Sequence, residues 1–522
     1  VTTTQSTKHT RGGFSSQRVF ILAAIGSAVG LGNIWRFPYV AYENGGGSFL
    51  IPYLCALLFA GLPFLFLDYA LGHRFRGSTP LSFARLSRRS EGLGWWQVLI
   101  CAVIAVYYAA IIAWAGMYAV FSIGRTWGED TESYFFKSFL QAGDPGLSLT
   151  FVPQAAWPLA VVWIVLLGIL LLGVQRGIGA TSVVFIPVLM LVFLALVVQA
   201  LLLPGAVDGL NALFTPKWSA LLDPSVWVAA FGQIFFSLSV GFGIMITYAS
   251  YMSKKTDLTG SGLVVGFANS GFELLAGIGV FSALGFMAQA SGKPVAEVVA
   301  SGLGMAFVAF PTIINAAPAG SLLGVLFFAS LVLAGITSLV SVLEVAISAV
   351  RDKFDLPRVA ATLWVGVPLA VISMLLLGTS TAVYALDVLD HFINNFGILL
   401  VAIVSMLVIT WGIRAIPMLR AHLNANGSVP IGRWWLVLLG VVTPLVLVVN
   451  LVQAFLGDVA EPYEGYPGWL LGTLGWGVAA GVLVLGFLLA LLPWRTDAVN
   501  EPPTEPDGTP QPDDETAPQE AR

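Results

Sequence analysis

The chain has 522 residues, of which 57% are hydrophobic and only 10% are Asp, Glu, Lys or Arg. A soluble domain carries about 45–50% apolar and about 25% charged residues, so a water-soluble enzyme, a disordered protein and a nucleic-acid binder are excluded. The mean hydropathy is +0.87, and apolar runs of the roughly 20 residues that a membrane span needs recur along most of the chain. These properties predict an all-α polytopic membrane protein.

In chain order, apolar segments fall at 18–44, 47–73, 93–124, 156–174, 178–203, 226–252, 259–290, 319–350, 358–379, 382–410, 432–456 and 468–494, which makes twelve candidate helical spans. A further apolar stretch at 296–318 is interrupted by Pro311 and Pro318 and reads as a re-entrant or loop-lying helix pair. The first apolar run is too long for a cleavable signal peptide and continues into polar, Gly-rich sequence. Cys55 and Cys101 lie inside apolar runs, and the four histidines show no metal-site spacing.

An even number of spans puts both termini on one side. That side holds 19 of the 24 basic residues, among them Arg74, Arg76, Arg85, Arg88, Arg89, Lys254 and Lys255. By the excess of Lys and Arg in cytoplasmic loops, the termini are expected in the cytoplasm and the chain in the plasma or inner membrane. Residues 496–522 carry eight acids, one Arg and six prolines without apolar periodicity, the composition of a disordered tail. Without that tail the body carries a net charge of +3 rather than −4.

Two spans are unlike the rest. The first reads Gly26-Ser-Ala-Val-Gly-Leu-Gly-Asn33 and the sixth Ser237-Leu-Ser-Val-Gly-Phe-Gly243, each with a Val-Gly-x-Gly core, 211 residues apart. Closely spaced glycines invite unwinding. Gly-interrupted spans at matching places in two halves point to an inverted-repeat transporter whose site lies at the membrane midplane; close helix packing is the plainer alternative.

An unwound turn exposes backbone groups that lipid cannot satisfy, and its carbonyls suit a hard cation such as sodium. Asn33, Ser237 and Asn269 could join carbonyls of Ala28 and Ser237 around one ion. Thr337 and Ser338 could join carbonyls of Gly26, Val29 and Ala334 around another. Taken singly, each Ser or Thr reads equally as a helix-packing hydroxyl.

The runs Gly32-Asn-Ile-Trp-Arg-Phe-Pro-Tyr39 and Glu43-Asn-Gly-Gly-Gly-Ser-Phe49, then Gln233-Ile-Phe-Phe-Ser-Leu-Ser-Val-Gly-Phe-Gly243 and Ala334-Gly-Ile-Thr-Ser338, closely resemble the neurotransmitter:sodium symporter family, particularly its bacterial amino-acid transporters. The matches fall in order from Arg11 to Asp390, with similar hydropathy to about residue 494. The resemblance implies two five-span inverted repeats with helices 1 and 6 broken, followed by two C-terminal helices. The expected organisation is a cytoplasmic segment 1–17, repeats 18–203 and 204–410, spans 11 and 12 in 411–495, and the tail 496–522.

The resemblance also implies that the two oxygen groups above are two sodium sites, the substrate carboxylate completing the first. Its substrate pocket would be lined by Ala28, Gly30, Gly32, Ile104, Tyr108, Phe236, Ser239, Phe242, Ser338 and Val342. Tyr108 would bond the carboxylate and Phe236 would lid the pocket. Monoamine members resemble this chain but carry an aspartate where Gly30 stands. Glycine leaves room for the substrate's own carboxylate, and the mostly apolar far end (Ile104, Phe242, Val342) favours a neutral hydrophobic L-amino acid.

Arg36 with Asp390 on the outer side, and Arg11 with Asp352 on the inner side near Ser250 and Tyr251, read as gate pairs. Phe14 stands where relatives often have Trp. Glu273 follows Asn269 by one helical turn, and a carboxylate in a membrane helix is a functional candidate by default. Chloride-dependent relatives have a small hydroxyl here and bind chloride beside Tyr53, Gln233, Ser237 and Asn269, so Glu273 is expected to substitute for the anion and to permit proton antiport. Gly177 and Pro187 mark a stretch of span 5 that could unwind. Sodium-coupled symport by alternating access, from a chain alone or as a homodimer in the lipid bilayer, is the resulting expectation. A non-transporting amino-acid sensor is the rival, and no nucleophile, metal or phosphate-binding constellation supports an enzyme.

Overall fold

The computed structural model describes residues 13–299 and 302–500. Arg11 and most of the acidic tail therefore lie outside the described residues. Among these, the regular structure is helical throughout, with only two isolated β-bridges.

Ten helices are long and apolar enough to cross a membrane: Gly47–Phe75, Arg88–Gly124, Pro153–Leu171, Val174–Leu201, Leu258–Ser291, Gly320–Phe354, Arg358–Leu377, Ala382–Gly412, Trp434–Gly465 and Gly468–Leu491. They correspond to spans 2–5 and 7–12 of the sequence reading. Span 1 is a pair, 1a (Gln17–Ala28) and 1b (Leu31–Glu43), bent by 55° at its break. Span 6 is shorter still, with 6a at Pro224–Ser237 and 6b at Ile244–Ala249. Its two pieces are too short to count singly, which is why composition and length alone give eleven spans and the apolar pattern gives twelve.

The spans sort into two groups by burial. In spans 2, 3, 7, 8 and 10 the most apolar window is 67–78% buried, whereas in spans 4, 5, 9, 11 and 12 it is 17–33% buried. The second group turns its apolar surface outward, as lipid-facing helices must, because tails satisfy no backbone polar group. The first group surrounds the two broken helices and can therefore carry polar side chains.

The stretch between spans 7 and 8 lies as short helices, the longer at Gly302–Ala316. It is pinned by Phe310 stacking on Phe327 of span 8 at 3.7 Å. Span 5 is helical in this conformation. Pro187 sits inside a continuous helix, and Gly177 falls in a wide turn at Val174–Gly179.

Candidate functional site at the two helix breaks

The break in span 1 is made by diverted amides. Val29 caps 1a by donating to the Ile25 carbonyl at 2.7 Å. The next two N–H groups leave the helix: Gly30 donates to Asn33 Oδ1 at 2.9 Å and Leu31 to the Tyr108 hydroxyl at 3.1 Å. The Ser27 carbonyl, which a continuing helix would have paired with Leu31, accepts Ser239 Oγ and Ser338 Oγ instead, each at 3.1 Å. Each orphaned group of the broken ends that these bonds involve is met by a side chain, from 1b itself for Gly30 and from spans 3, 6 and 8 for the others.

In span 6 the chain leaves the helix after Ser237 and passes through positive φ at Ser239 (53°), Gly241 (86°) and Gly243 (90°). Glycine accommodates that backbone without a Cβ penalty; Ser239 adopts it while its hydroxyl bonds span 1. The loop is held from outside by Asp68 of span 2, whose Oδ2 accepts the Gly241 N–H at 3.2 Å. The Thr79 hydroxyl donates to the Gly243 carbonyl at 3.0 Å.

Between the breaks lies a cavity of about 540 Å³, counting its mouth. Ala28, Gly30, Gly32, Ile104, Tyr108, Phe236, Ser239, Phe242, Ser338 and Val342 all line it, together with Tyr107, Asp390, Asn394 and Ile398. The wall at Gly30 is tight: a Cβ there would lie 2.9 Å from the Tyr108 hydroxyl and 3.4 Å from Ser338 Oγ. Tyr108 already accepts the Leu31 amide, so its own proton remains to be donated.

Asn33, Asn269 and Ser237 come together from spans 1, 7 and 6. Asn33 Nδ2 donates to Asn269 Oδ1 at 2.8 Å, and Asn269 Nδ2 to Ser237 Oγ at 3.1 Å. In the second group, Thr337 Oγ1 donates to the Leu333 and Ala334 carbonyls of its own helix at 3.1 and 3.0 Å. A Cβ at Gly26 would stand 3.2 Å from Thr337 Cβ, so spans 1 and 8 meet there. Both clusters offer only oxygen acceptors, the donor type that a hard cation takes. A hydroxyl that donates its single proton keeps lone pairs for an ion.

Glu273 is fully buried. One of its oxygens accepts the Tyr53 hydroxyl, and the other accepts Gln233 Nε2 at 2.7 Å. Tyr53 also bonds Ser270 at 2.9 Å. The carboxylate thus occupies the middle of a polar cluster one helical turn beyond Asn269.

The expected outer pair is not joined. Arg36 lies over the Phe236 ring, 4.4 Å from its centroid, while Asp390 accepts Asn394 Nδ2 at 2.8 Å. Among the described residues no ion pair connects the two. Phe236, Asn394 and Ile398 separate the cavity from a second, outer one that Arg36 lines. On the inner side, Asp352 accepts the Ser78 amide at 2.8 Å and lies 3.6 Å from Arg351. Phe14 donates its amide to the Tyr251 carbonyl at 3.3 Å and packs edge-on against Tyr248 and Tyr251. Tyr251 donates to Glu344 at 2.6 Å, and Arg358 grips both oxygens of Glu344 at 3.0 and 2.8 Å.

Asp68, Glu344 and Asn394 escaped the sequence reading. The rule that singled out Glu273, a carboxylate inside an apolar run, applies equally to Asp68 and Glu344. Asn394 gives no such signal, since one amide in a helix is commonplace.

The chain matches the family model described as the sodium:neurotransmitter symporter family over residues 11–138 and 125–496. It is 41% identical to an uncharacterized sodium-dependent transporter of Methanocaldococcus jannaschii over 462 residues, covering 87% of this chain and 93% of that relative. It is 30% identical to the sodium- and chloride-dependent neutral and basic amino acid transporter B(0+) of Homo sapiens over 558 residues, covering 92% and 85% respectively. Among solved structures, MhsT in complex with L-phenylalanine superposes with a TM-score of 0.71 at 31% identity, covering 85% of this chain and all of MhsT. These likenesses and the apolar helices describe a multi-pass, sodium-dependent membrane transporter and not an enzyme: the chain belongs to the sodium:neurotransmitter symporter family.

Proposed function

We propose that the chain is a symporter that couples two sodium ions to the uptake of a neutral, hydrophobic L-amino acid by alternating access, as two inverted repeats with both termini in the cytoplasm. The observation that carries this reading is the pairing of Gly30 with Tyr108. The glycine leaves no side chain in the pocket, and the hydroxyl opposite it has a proton to give. A substrate carboxylate is the complementary group. The far wall of Ile104, Phe242 and Val342 then faces the side chain, and an apolar wall selects an apolar one.

Sodium binds first to the Asn33–Ser237–Asn269 group and to the Gly26–Val29–Ala334–Thr337–Ser338 group. In the first, the substrate carboxylate would contribute its charge to the ion, which makes binding of the two mutually dependent. Each sodium gains about 2.3 kcal/mol per 100 mV, and a tenfold gradient adds about 1.4 kcal/mol. Two ions supply roughly 7 kcal/mol, enough for accumulation on the order of 10⁵-fold.

Phe236, with Arg36 above it, closes the pocket outward. Asp390 is held by Asn394 and Tyr107 until Arg36 swings to it, so the outer gate depends on a change of partner. Arg11 is proposed to pair with Asp352 at the inner gate.

Glu273 takes the place of chloride and makes transport chloride-independent. A fixed carboxylate balances the sodium charge, and when sodium leaves, a proton from the cytoplasm neutralises it for the return. Uptake of a panel of labelled neutral amino acids into proteoliposomes tests the reading. Concentrative uptake should occur with an inward sodium gradient and not with potassium or choline.

A further inference from the structure

His73, at the inner end of span 2, meets His422, on the helix Ile416–Asn426 between spans 10 and 11. His73 Nδ1 lies 2.9 Å from His422 Nε2, and the ring centroids are 5.1 Å apart. The other nitrogen of His73 lies 2.7 Å from the carbonyl oxygen of Ser253, in the loop after 6b. A carbonyl only accepts, so His73 Nε2 carries the hydrogen. In the neutral ring Nδ1 is then a bare lone pair, and His422 Nε2 must be the donor. One bond chain thus fixes both tautomers and ties three elements together. A proton added at His73 Nδ1 would face the His422 N–H and break the tie.

A proton on His422 Nδ1 would leave its Nε2–H donating to His73, but the surroundings oppose a charge on that ring. Burial, the neighbouring His73 and the charges of Arg74 and Arg76 push His422 down to about 4. The charged residues on the elements that meet here are Asp68 and Arg74 of span 2, Arg76 just after it, Lys254 and Lys255 of the loop, Arg420 of the helix, and Asp257 at the start of span 7. Of the two acids, Asp257 is occupied by the Gly260 and Ser428 amides at 2.9 and 3.0 Å and Asp68 by the Gly241 amide at 3.2 Å.

We infer that the His73–His422 bond is a pH-sensitive tie that holds span 2, the loop after 6b and the helix Ile416–Asn426 closed, and that protons on this face release it. The tie is connected to the substrate site. Span 2 touches 6b so closely at Gly72 that a Cβ there would strike the Ile246 backbone, and 6b begins at Ile244, which lines the pocket. The sign follows from linkage. A free imidazole titrates near 6.5, while the tied pair resists protonation, so the tie is full above about pH 6.5 and weakens as pH falls below it. Between pH 7.5 and 5.5, one such histidine shifts the ratio of untied to tied protein about tenfold.

The consequence for transport rests on the alternating-access reading, but the test does not use transport. Ser250 at the end of 6b is 1% exposed, and Ser250→Cys on a Cys55→Ala background provides a buried thiol that inner opening would uncover. Its labelling by a membrane-impermeant maleimide is compared between the reporter protein and the same protein carrying His422→Leu, which cannot form the tie. The ratio of variant to reference rates cancels the pH dependence of the thiol. It should be well above one at pH 7.5 and fall about tenfold by pH 5.5. His422→Gln, whose amide can donate to neutral His73 Nδ1 and turn its oxygen to accept from that nitrogen once it is protonated, should label slowly at both pH values and remains informative if the leucine variant does not fold. A ratio near one at both pH values, or acceleration of His422→Gln by acid equal to that of the reference, would overturn the inference.

Discussion

The hydroxyl of Tyr108 accepts the amide of Leu31 at 3.1 Å, and a Cβ on Gly30 would come within 2.9 Å of the same oxygen. One phenol therefore both stabilises the break in span 1 and fixes how much can stand at position 30. Gly30→Ala and Tyr108→Phe should each weaken substrate binding about 10- to 100-fold, the value of a hydrogen bond to a charged group. Because both act on one contact, the double variant should lose little more than either single one. Equilibrium binding of the transported amino acid in detergent reads this, and additive losses would contradict it.

Glu273→Ser should convert the protein to chloride dependence. Uptake by the variant should be low in gluconate and recover when chloride is added, whereas the wild type should be indifferent. Full uptake by the variant without chloride would remove the proposed role of this carboxylate.

The two oxygen clusters should be separable by sodium titration. Asn269→Ala opens the first and Thr337→Val the second, and each should lower apparent sodium affinity about tenfold or more, as a lost charged-group contact does. Asn269→Ala should also weaken the amino acid, because the first ion is proposed to share its shell with the carboxylate. Thr337→Val should affect mainly sodium. Sodium-dependent substrate binding distinguishes the two, and equal effects on the substrate would argue against the assignment.

At the inner face, Lys353 is fully buried and bonds Glu91 at 2.6 Å, and Glu91 also accepts Trp95 and Trp494 at 3.1 and 2.9 Å. Removing one partner of a buried pair strands the other charge at a cost of about 3–5 kcal/mol. Glu91→Ala should therefore lower thermal stability markedly, while Glu91→Ala with Lys353→Met should recover much of the loss. Thermal unfolding in detergent measures both, and a double variant no more stable than the single one would contradict the explanation.

Much of the site could be read from residue order, because a broken membrane helix leaves its mark locally. The glycines around Val29 and Val240 locate both breaks, and Asn33, Asn269, Thr337 and Ser338 are the oxygen donors within reach of them. The twelve apolar runs likewise anticipate the spans, apart from the span 6 pieces, which are too short to stand alone. What stayed hidden depends on packing between distant elements. Asp68 looks like one acid in an apolar run until the structure sets it against the Gly241 amide, and Asn394 like one amide in a helix until it bonds Asp390. In span 5, Gly177 and Pro187 read as a stretch that could unwind, and in this conformation Gly177 lies in a wide turn and the helix continues through Pro187.

The most direct test of the central claim is uptake of labelled neutral amino acids by proteoliposomes under an inward sodium gradient, with potassium and choline as controls. The account predicts concentrative, sodium-dependent uptake of one or a few hydrophobic amino acids, with Tyr108→Phe strongly impaired. Sodium-dependent binding of such an amino acid without any uptake would contradict symport and identify a sensor. Neither uptake nor binding would contradict the assignment of the pocket itself.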